Sequence, residues 1–269
     1  AEGRPDETEM RMLHMKVAQF GHDLMAVLKP DSPSTARWVA WPRTGPELRA
    51  APLDVGRRLS EGLFSRGVPS ILTSATLSTG DGLKDFKARV GLPDARELVL
   101  DSPYDYSTQA AFWAMEGIPD PKDEDAHVRA VTQVCADIVA RVPGGVFLLF
   151  SSWKLLRRVH GLLRKKITDR PVWAQGATGH ENLVREFETA GDAVLLGVDT
   201  FWQGIDVPGE ALSCVVMIKL PFPNVSSALE EARRRWLADN GREYFKDWSL
   251  PSAVMKFRQG FGRLIRTST

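Results

Sequence analysis

Between His127 and Leu220 the chain alternates helical and strand patterns with little between them, and that alternation constrains the fold more than any other feature. Val146 to Phe150, Pro171 to Ala174, Ala193 to Val198 and Cys214 to Leu220 are short, nearly continuous apolar runs. His127 to Val142, Trp153 to Lys166 and Glu181 to Thr189 repeat apolar residues at helical spacing, and further helices are expected from Ala228 and Pro251. Runs with no polar alternation are strands buried on both faces, so a parallel sheet covered by helices is expected, in the α/β class.

Before this region the pattern is looser. Thr8 to about Lys29 reads as one amphipathic helix (Met10, Leu13, Val17, Phe20, Leu24), stopped by Pro30-Asp31-Ser32-Pro33. Ala36 to Trp41 reads as a strand, Leu53 to Phe64 as a helix, Pro69 to Thr73 as a buried strand and Gly82 to Val90 as a helix. The stretch from Asp101 to Lys122 is rich in proline, carries a candidate strand at Ala110 to Met115, and has the character of an interdomain connection.

Composition excludes several classes. No run of about 18 apolar residues is present to cross a bilayer, and the opening residues have no signal-peptide pattern, so a soluble, cytoplasmic protein is expected. Cys135 and Cys214 are too few for a disulfide framework or a four-thiolate cluster and are expected as small buried hydrophobes. The net charge of +1 means that polyanion binding must rely on local patches such as Arg157-Arg158, Arg164-Lys165-Lys166 or Arg233-Arg234-Arg235, each of which also reads as a solvated helix face.

The last helix carries the strongest chemical signal. After Ser249-Leu250-Pro251, a candidate cap with proline in the first turn, runs Gln259-Gly260-Phe261-Gly262-Arg263-Leu264-Ile265-Arg266. At helical spacing Gln259, Arg263 and Arg266 share one side, with Phe257, Phe261 and Leu264 opposite. Two guanidiniums on one face suit phosphate oxygens. Each glycine inside a helix costs about 1 kcal/mol, which points to close approach of a ligand or a second lobe; a solvated basic helix end leaves the glycines unexplained.

These residues resemble motif VI of superfamily 2 helicases, and the run through Leu264-Ile265-Arg266 is similar to the DinG/XPD branch. Asp199 to Gly209 resembles motif V, Leu220-Pro221-Phe222-Pro223 the turn after the next strand, Phe147 to Ser152 motif IV, and Leu72 to Ser78 motif III. The resemblance implies a RecA-like second lobe over residues 106–269, the remainder of a first lobe over 31–105 and the end of an arch-type insertion over 1–30. It implies an ATP-dependent DNA helicase with Arg263, Arg266 and Gln259 in catalysis and Gly204, Asp206, Ser74 and Thr76 at the nucleotide. Ser151, Ser152, Lys154, Gln175 and Thr200 would then face nucleic acid. The serines also serve as ordinary helix caps, Thr73 to Thr76 as a plain turn, Asp206 as a turn former, and Trp202 either stacks on a base or sugar or belongs to the core.

No Gly-x-x-x-x-Gly-Lys-Ser/Thr loop and no strand-end acidic pair for magnesium occur; Asp123-Glu124-Asp125 reads as a helix start. ATP and Mg2+ would be completed by a first lobe outside this chain, which would also hold any iron–sulfur cluster, and no metal ligand is assigned here. The expectation is an inactive, monomeric fragment of an enzyme that moves 5′ to 3′ on single strands and opens forked duplex or DNA–RNA hybrid in repair or replication. Two alternatives stand beside it: a non-catalytic module that binds single-stranded DNA or protein, and a different doubly wound nucleotide enzyme complete in this chain.

Overall fold

The structure, a computed structural model, describes residues 7–28, 33–78, 82–198, 201, 207, 211–262 and 264. Contacts group the chain into two units, one of Ala1–Thr73, Leu83–Arg96 and Pro223–Ser249, the other of Ser74–Gly82, Glu97–Phe222 and Leu250–Thr269.

The second unit holds the parallel sheet. Strands β3 (Val146–Phe150), β4 (Val172–Ala174), β5 (Val194–Val198) and β6 (Cys214–Met217) lie in the order β4-β5-β3-β6, all parallel. After the short helix α4 (Tyr106–Gln109), helices α5 (Glu124–Val139), α6 (Trp153–Lys166) and α7 (His180–Ala190) supply the covering layers. Strand alternation decides which side chain goes where: Val146, Leu148 and Phe150 join Val128, Cys135, Leu156 and Leu163 in one core. Phe147 and Leu149 point the other way, to Leu183, Phe187, Phe201 and Val207. At about 1.5–3 kcal/mol per fully buried large apolar side chain, these two faces hold the unit together. The α/β class and the helix-flanked parallel sheet are therefore as expected.

The helix caps follow the sequence. Asp123 accepts from the Ala126 amide at the start of α5 and Ser152 from the Leu155 amide at the start of α6. Cys135 is buried, with its thiol pushed up to about 12 by desolvation, whereas Cys214 is half-buried instead of fully enclosed.

The first unit contains α1 (Glu7–Leu28), α2 (Val55–Gly62), α3 (Lys84–Val90), α8 (Ala228–Asp239) and a hairpin-like pair, β1 (Thr35–Ala40) with β2 (Glu47–Pro52). The β2 strand was not expected, because Glu47-Leu48-Arg49-Ala50-Ala51-Pro52 lacks β-branched residues; pairing with β1 makes it a strand. Arg233 belongs neither to a basic patch nor to a solvated face. Its guanidinium is buried over the Trp248 ring, 3.8 Å from the centroid, and donates to the Leu53 carbonyl.

Three expectations fail. Pro69 to Thr73 forms no strand, and Ile71 is 90% exposed; Ala110 to Met115 likewise joins no sheet among the described residues, and Trp113 is 77% exposed. Both runs are apolar enough for a strand, but a strand exists only with a partner, and no described residue offers one. Ser249 does not cap the last helix, α9 (Leu250–Phe261), because it is itself the last residue of a π-helical turn, Phe245–Ser249.

Candidate nucleotide and nucleic-acid site

Because β3, β4 and β5 are parallel, the residues that follow them emerge at one edge of the sheet. Open α/β sheets receive ligands at that carboxyl edge. Ser151 and Ser152 follow β3, Gln175 and Gly176 follow β4, and Asp199 onward follows β5.

Gln175 is a latch. Its amide donates to the Leu196 carbonyl, and its Oε1 accepts from the Val198 amide at 2.8 Å, fixing the end of β5 where the 199–209 segment departs. Phe201 and Val207, only 1% and 2% exposed, are buried in the same core. Phe201 meets Phe147 and, edge-on at 4.6 Å, His180. Thr200, Gly204 and Asp206 fall outside the described residues, but the chain on either side of 202–206 is anchored by these two buried side chains.

Ser152 both caps α6 and stands at the carboxyl edge, so capping is its observed role; Ser151 is exposed beside it. Lys154 donates to Glu124, which also meets Arg158, while Arg158 reaches Asp125. The hydrogen bond from Lys154 holds the Glu124 carboxyl below its usual range, with its charge as the next cause, and Arg158 does the same for Asp125. Lys154 is therefore compensated by an acid, unlike a lysine poised for phosphate.

On α9, Phe257 packs edge-on against Phe112 and Phe261 against Tyr106, so the aromatic side of the helix is a packing face as expected. Gln259 places Oε1 in a buried position with no hydrogen-bond partner among the described residues. An orphaned amide oxygen is costly enough to need a partner, and Gln259 suits a ligand or a side chain from beyond the described set. Arg263 and Arg266 lie outside the described residues. A Cβ on Gly262 would meet the helix's own Arg258 carbonyl at 3.1 Å, and Gly260 is buried.

Ser74 and Thr76 form a small hydroxyl turn, the Thr76 amide donating to Ser74 Oγ. Two positions past it, the Ser78 carbonyl accepts from Arg258 Nη1, which ties this turn to α9 within the second unit. Sequence reasoning missed Arg258, since it falls outside the spaced Gln259, Arg263 and Arg266 set. It also missed the anchoring role of Phe201, although an isolated glycine at position 197 in an apolar strand signals close approach of another group. Among the described residues no three of His, Cys, Asp and Glu come together as a metal site.

Residues 135–269 match the helicase C-terminal domain family. The chain is 35% identical over 219 residues to the ATP-dependent DNA helicase YoaA of Escherichia coli strain K12, covering 81% of this chain and 34% of that one. It is 31% identical over 226 residues to the ATP-dependent helicase DinG of Mycobacterium tuberculosis strain H37Rv (82% and 34%). It is 30% identical over 227 residues to the 3'-5' exonuclease DinG of Bacillus subtilis strain 168 (81% and 24%). This chain thus spans between about a quarter and a third of the length of these relatives. By that match the chain belongs to the helicase C-terminal domain family.

Proposed function

We propose that this chain is the carboxy-terminal motor portion of an ATP-dependent DNA helicase, in which ATP hydrolysis drives 5′ to 3′ movement on single-stranded DNA and opens forked duplex or DNA–RNA hybrid in repair or replication. The observation that carries the reading is the family match over residues 135–269, reinforced by identity to relatives named as ATP-dependent helicases. In this reading residues 106–269 are the RecA-like second lobe, 31–105 the remainder of the first and 1–30 the end of an arch-type insertion. The protein works in the cytoplasm as a monomer.

The described residues fit one side of a nucleotide cleft. Gln259 carries a buried amide oxygen with no hydrogen-bond partner among the described residues, and Arg258 of the same helix donates to the Ser78 carbonyl, two positions past the Ser74–Thr76 turn. Gly204 and Asp206 would border the nucleotide with Ser74 and Thr76, and Arg263 and Arg266 would clamp phosphate oxygens where charge develops. Bound ATP supplies the phosphoryl group transferred to water. The phosphate-cradling loop and the carboxylates for Mg2+ belong to the first lobe, as would any iron–sulfur cluster, and this chain alone is inactive. Ser151, Ser152, Gln175 and Thr200 face the DNA strand, and Lys154 stands at the same edge but is held by Glu124.

The test is ATP turnover, stimulated by single-stranded DNA, in the longer protein that carries this segment. Arg263→Ala and Arg266→Ala should each lower turnover by about 100-fold or more, because stabilisation specific to the transition state is removed, while oligonucleotide binding persists. Near-normal turnover in both variants would return the helix end to a packing role.

A further inference from the structure

Three basic residues occupy the first turns of α6, and they are not equivalent. Lys154 and Arg158 are compensated by Glu124 and Asp125 of α5. Arg157 has no carboxylate partner among the described residues and instead places its guanidinium 5.7 Å from the centre of the Trp153 ring. Trp153 is 41% exposed at the first position of α6, directly after Ser152. The edge of its six-membered ring rests on the loop after β4: a Cβ on Gly176 would stand 3.9 Å from Cη2 and 4.0 Å from Cζ3. Gly176 has φ +91°, which leaves the backbone free to lie against the indole without a side chain between.

The result is an indole braced along one edge, open to solvent, beside an arginine with no carboxylate partner among the described residues. It suits a polyanion whose units carry flat π-faces. Its place at the carboxyl edge of the sheet puts it in line with Ser151, Ser152 and Gln175. We propose that Trp153 with Arg157 forms a base-stacking subsite for single-stranded nucleic acid, in which the indole stacks on a base and the guanidinium meets the adjoining phosphate. This rests on the nucleic-acid face proposed above and adds to it the residue that grips a base instead of the backbone. The other role open to Trp153 is that of an apolar wall for the Gly176 loop, and the two roles differ in what they require of the ligand.

The experiment is anisotropy binding of a fluorescein-labelled oligothymidylate, and of an abasic strand of the same length, to the 269-residue chain and its variants across a salt series. Trp153→Ala should weaken oligothymidylate binding about tenfold with little change in the salt slope, since stacking releases no counterion. Trp153→Phe should keep most of the affinity. Arg157→Ala should weaken binding and reduce the slope by about one. Binding of the abasic strand should be weak and indifferent to Trp153. Equal losses on both strands, or equal losses in the Ala and Phe variants, would make Trp153 a wall and overturn the subsite. Wild-type affinity in Trp153→Ala would overturn it too, while salt-dependent binding by the parent chain would leave the nucleic-acid face standing. No binding by the parent chain would sink both. Capture of polyglutamate with the same Trp153 dependence would reassign the surface to an acidic peptide and also overturn the proposal.

Discussion

Phe201 occupies the space that a side chain at position 197 would need: a Cβ built on Gly197 would fall 2.6 Å from both Cβ and Cγ of Phe201. Gly197 is the fourth residue of β5 and Phe201 lies just beyond the strand, so the glycine is what allows the chain to fold its ring back onto the sheet. Gly197→Ala should destabilise the second unit by about 1–3 kcal/mol through overpacking, read as a lower urea midpoint at unchanged slope. Phe201→Ala should cost more, about 3–5 kcal/mol, because a fully buried ring is lost and a cavity remains. If Gly197→Ala melts like the parent, the ring is not held over the strand and the anchor for the 199–209 segment is gone.

In the first unit the corresponding anchor is polar. The Glu230 carboxylate accepts from Tyr244 Oη at 2.7 Å and Trp248 Nε1 at 2.9 Å, and Arg233 Nε lies 3.5 Å away. The Trp248 ring meets Arg89 at 4.6 Å as well as Arg233, and burial lowers the pKa of both guanidiniums. Glu230→Ala would leave Arg233 buried without its acid and should cost about 3–5 kcal/mol.

Tyr244 gives this network a pH signature. Desolvation first, then the hydrogen bond to Glu230 and its charge, push the phenol well above its ordinary value. The unfolded chain therefore releases this proton before the folded chain does. Stability from this group is complete below about pH 10, the ordinary tyrosine value, and is lost as pH rises toward the folded value. Tyr244→Phe should cost about 1 kcal/mol at neutral pH and flatten the alkaline decline. A parent and a variant that fall in parallel above pH 10 would show that the phenol is not held by Glu230.

Arg258 offers a test of a different kind, since its bond to the Ser78 carbonyl joins segments 180 residues apart. Arg258→Ala should leave global stability nearly unchanged, because the side chain is exposed, yet raise amide hydrogen exchange in the Ser74–Ser78 stretch. Unaltered exchange there would mean the turn is held by something other than α9.

What could be read from the sequence divides by the range of the interactions responsible. The helices and the four parallel strands announce themselves, because amphipathic spacing and unbroken apolar runs are local properties. Asp123 and Ser152 are legible as caps for the same reason. Pro69 to Thr73 and Ala110 to Met115 carry the same local pattern yet form no strand, since pairing depends on a neighbour that no short window contains. Glu47 to Pro52 is the converse case, a weak pattern made into a strand by its partner. At the site, the carboxyl-edge placement of Ser152 and Gln175 follows from the strand order. The compensation of Lys154 by Glu124, thirty residues away, and the hold of Arg258 on Ser78 are tertiary and left no trace in the spacing.

That compensation leads to the last prediction. Glu124 is exposed, so its pairing with Lys154 and Arg158 adds little to stability. Its effect is instead to occupy two cations beside the strand edge proposed to carry DNA. Glu124→Gln keeps the shape of the side chain and removes the charge, leaving Lys154 able to reach a phosphate. Oligonucleotide affinity should rise severalfold at low salt, and the slope of log affinity against log salt should steepen by about one, the signature of one more phosphate contact. Acid should mimic the substitution: the pair is intact above the ordinary glutamate value near 4.3 and is lost as pH falls through the lower folded value, so the parent should approach the variant only in strong acid. If Glu124→Gln binds no tighter and with the same salt slope, Lys154 does not face the strand, and the path of the nucleic acid across this edge must run on the Trp153 and Gln175 side alone.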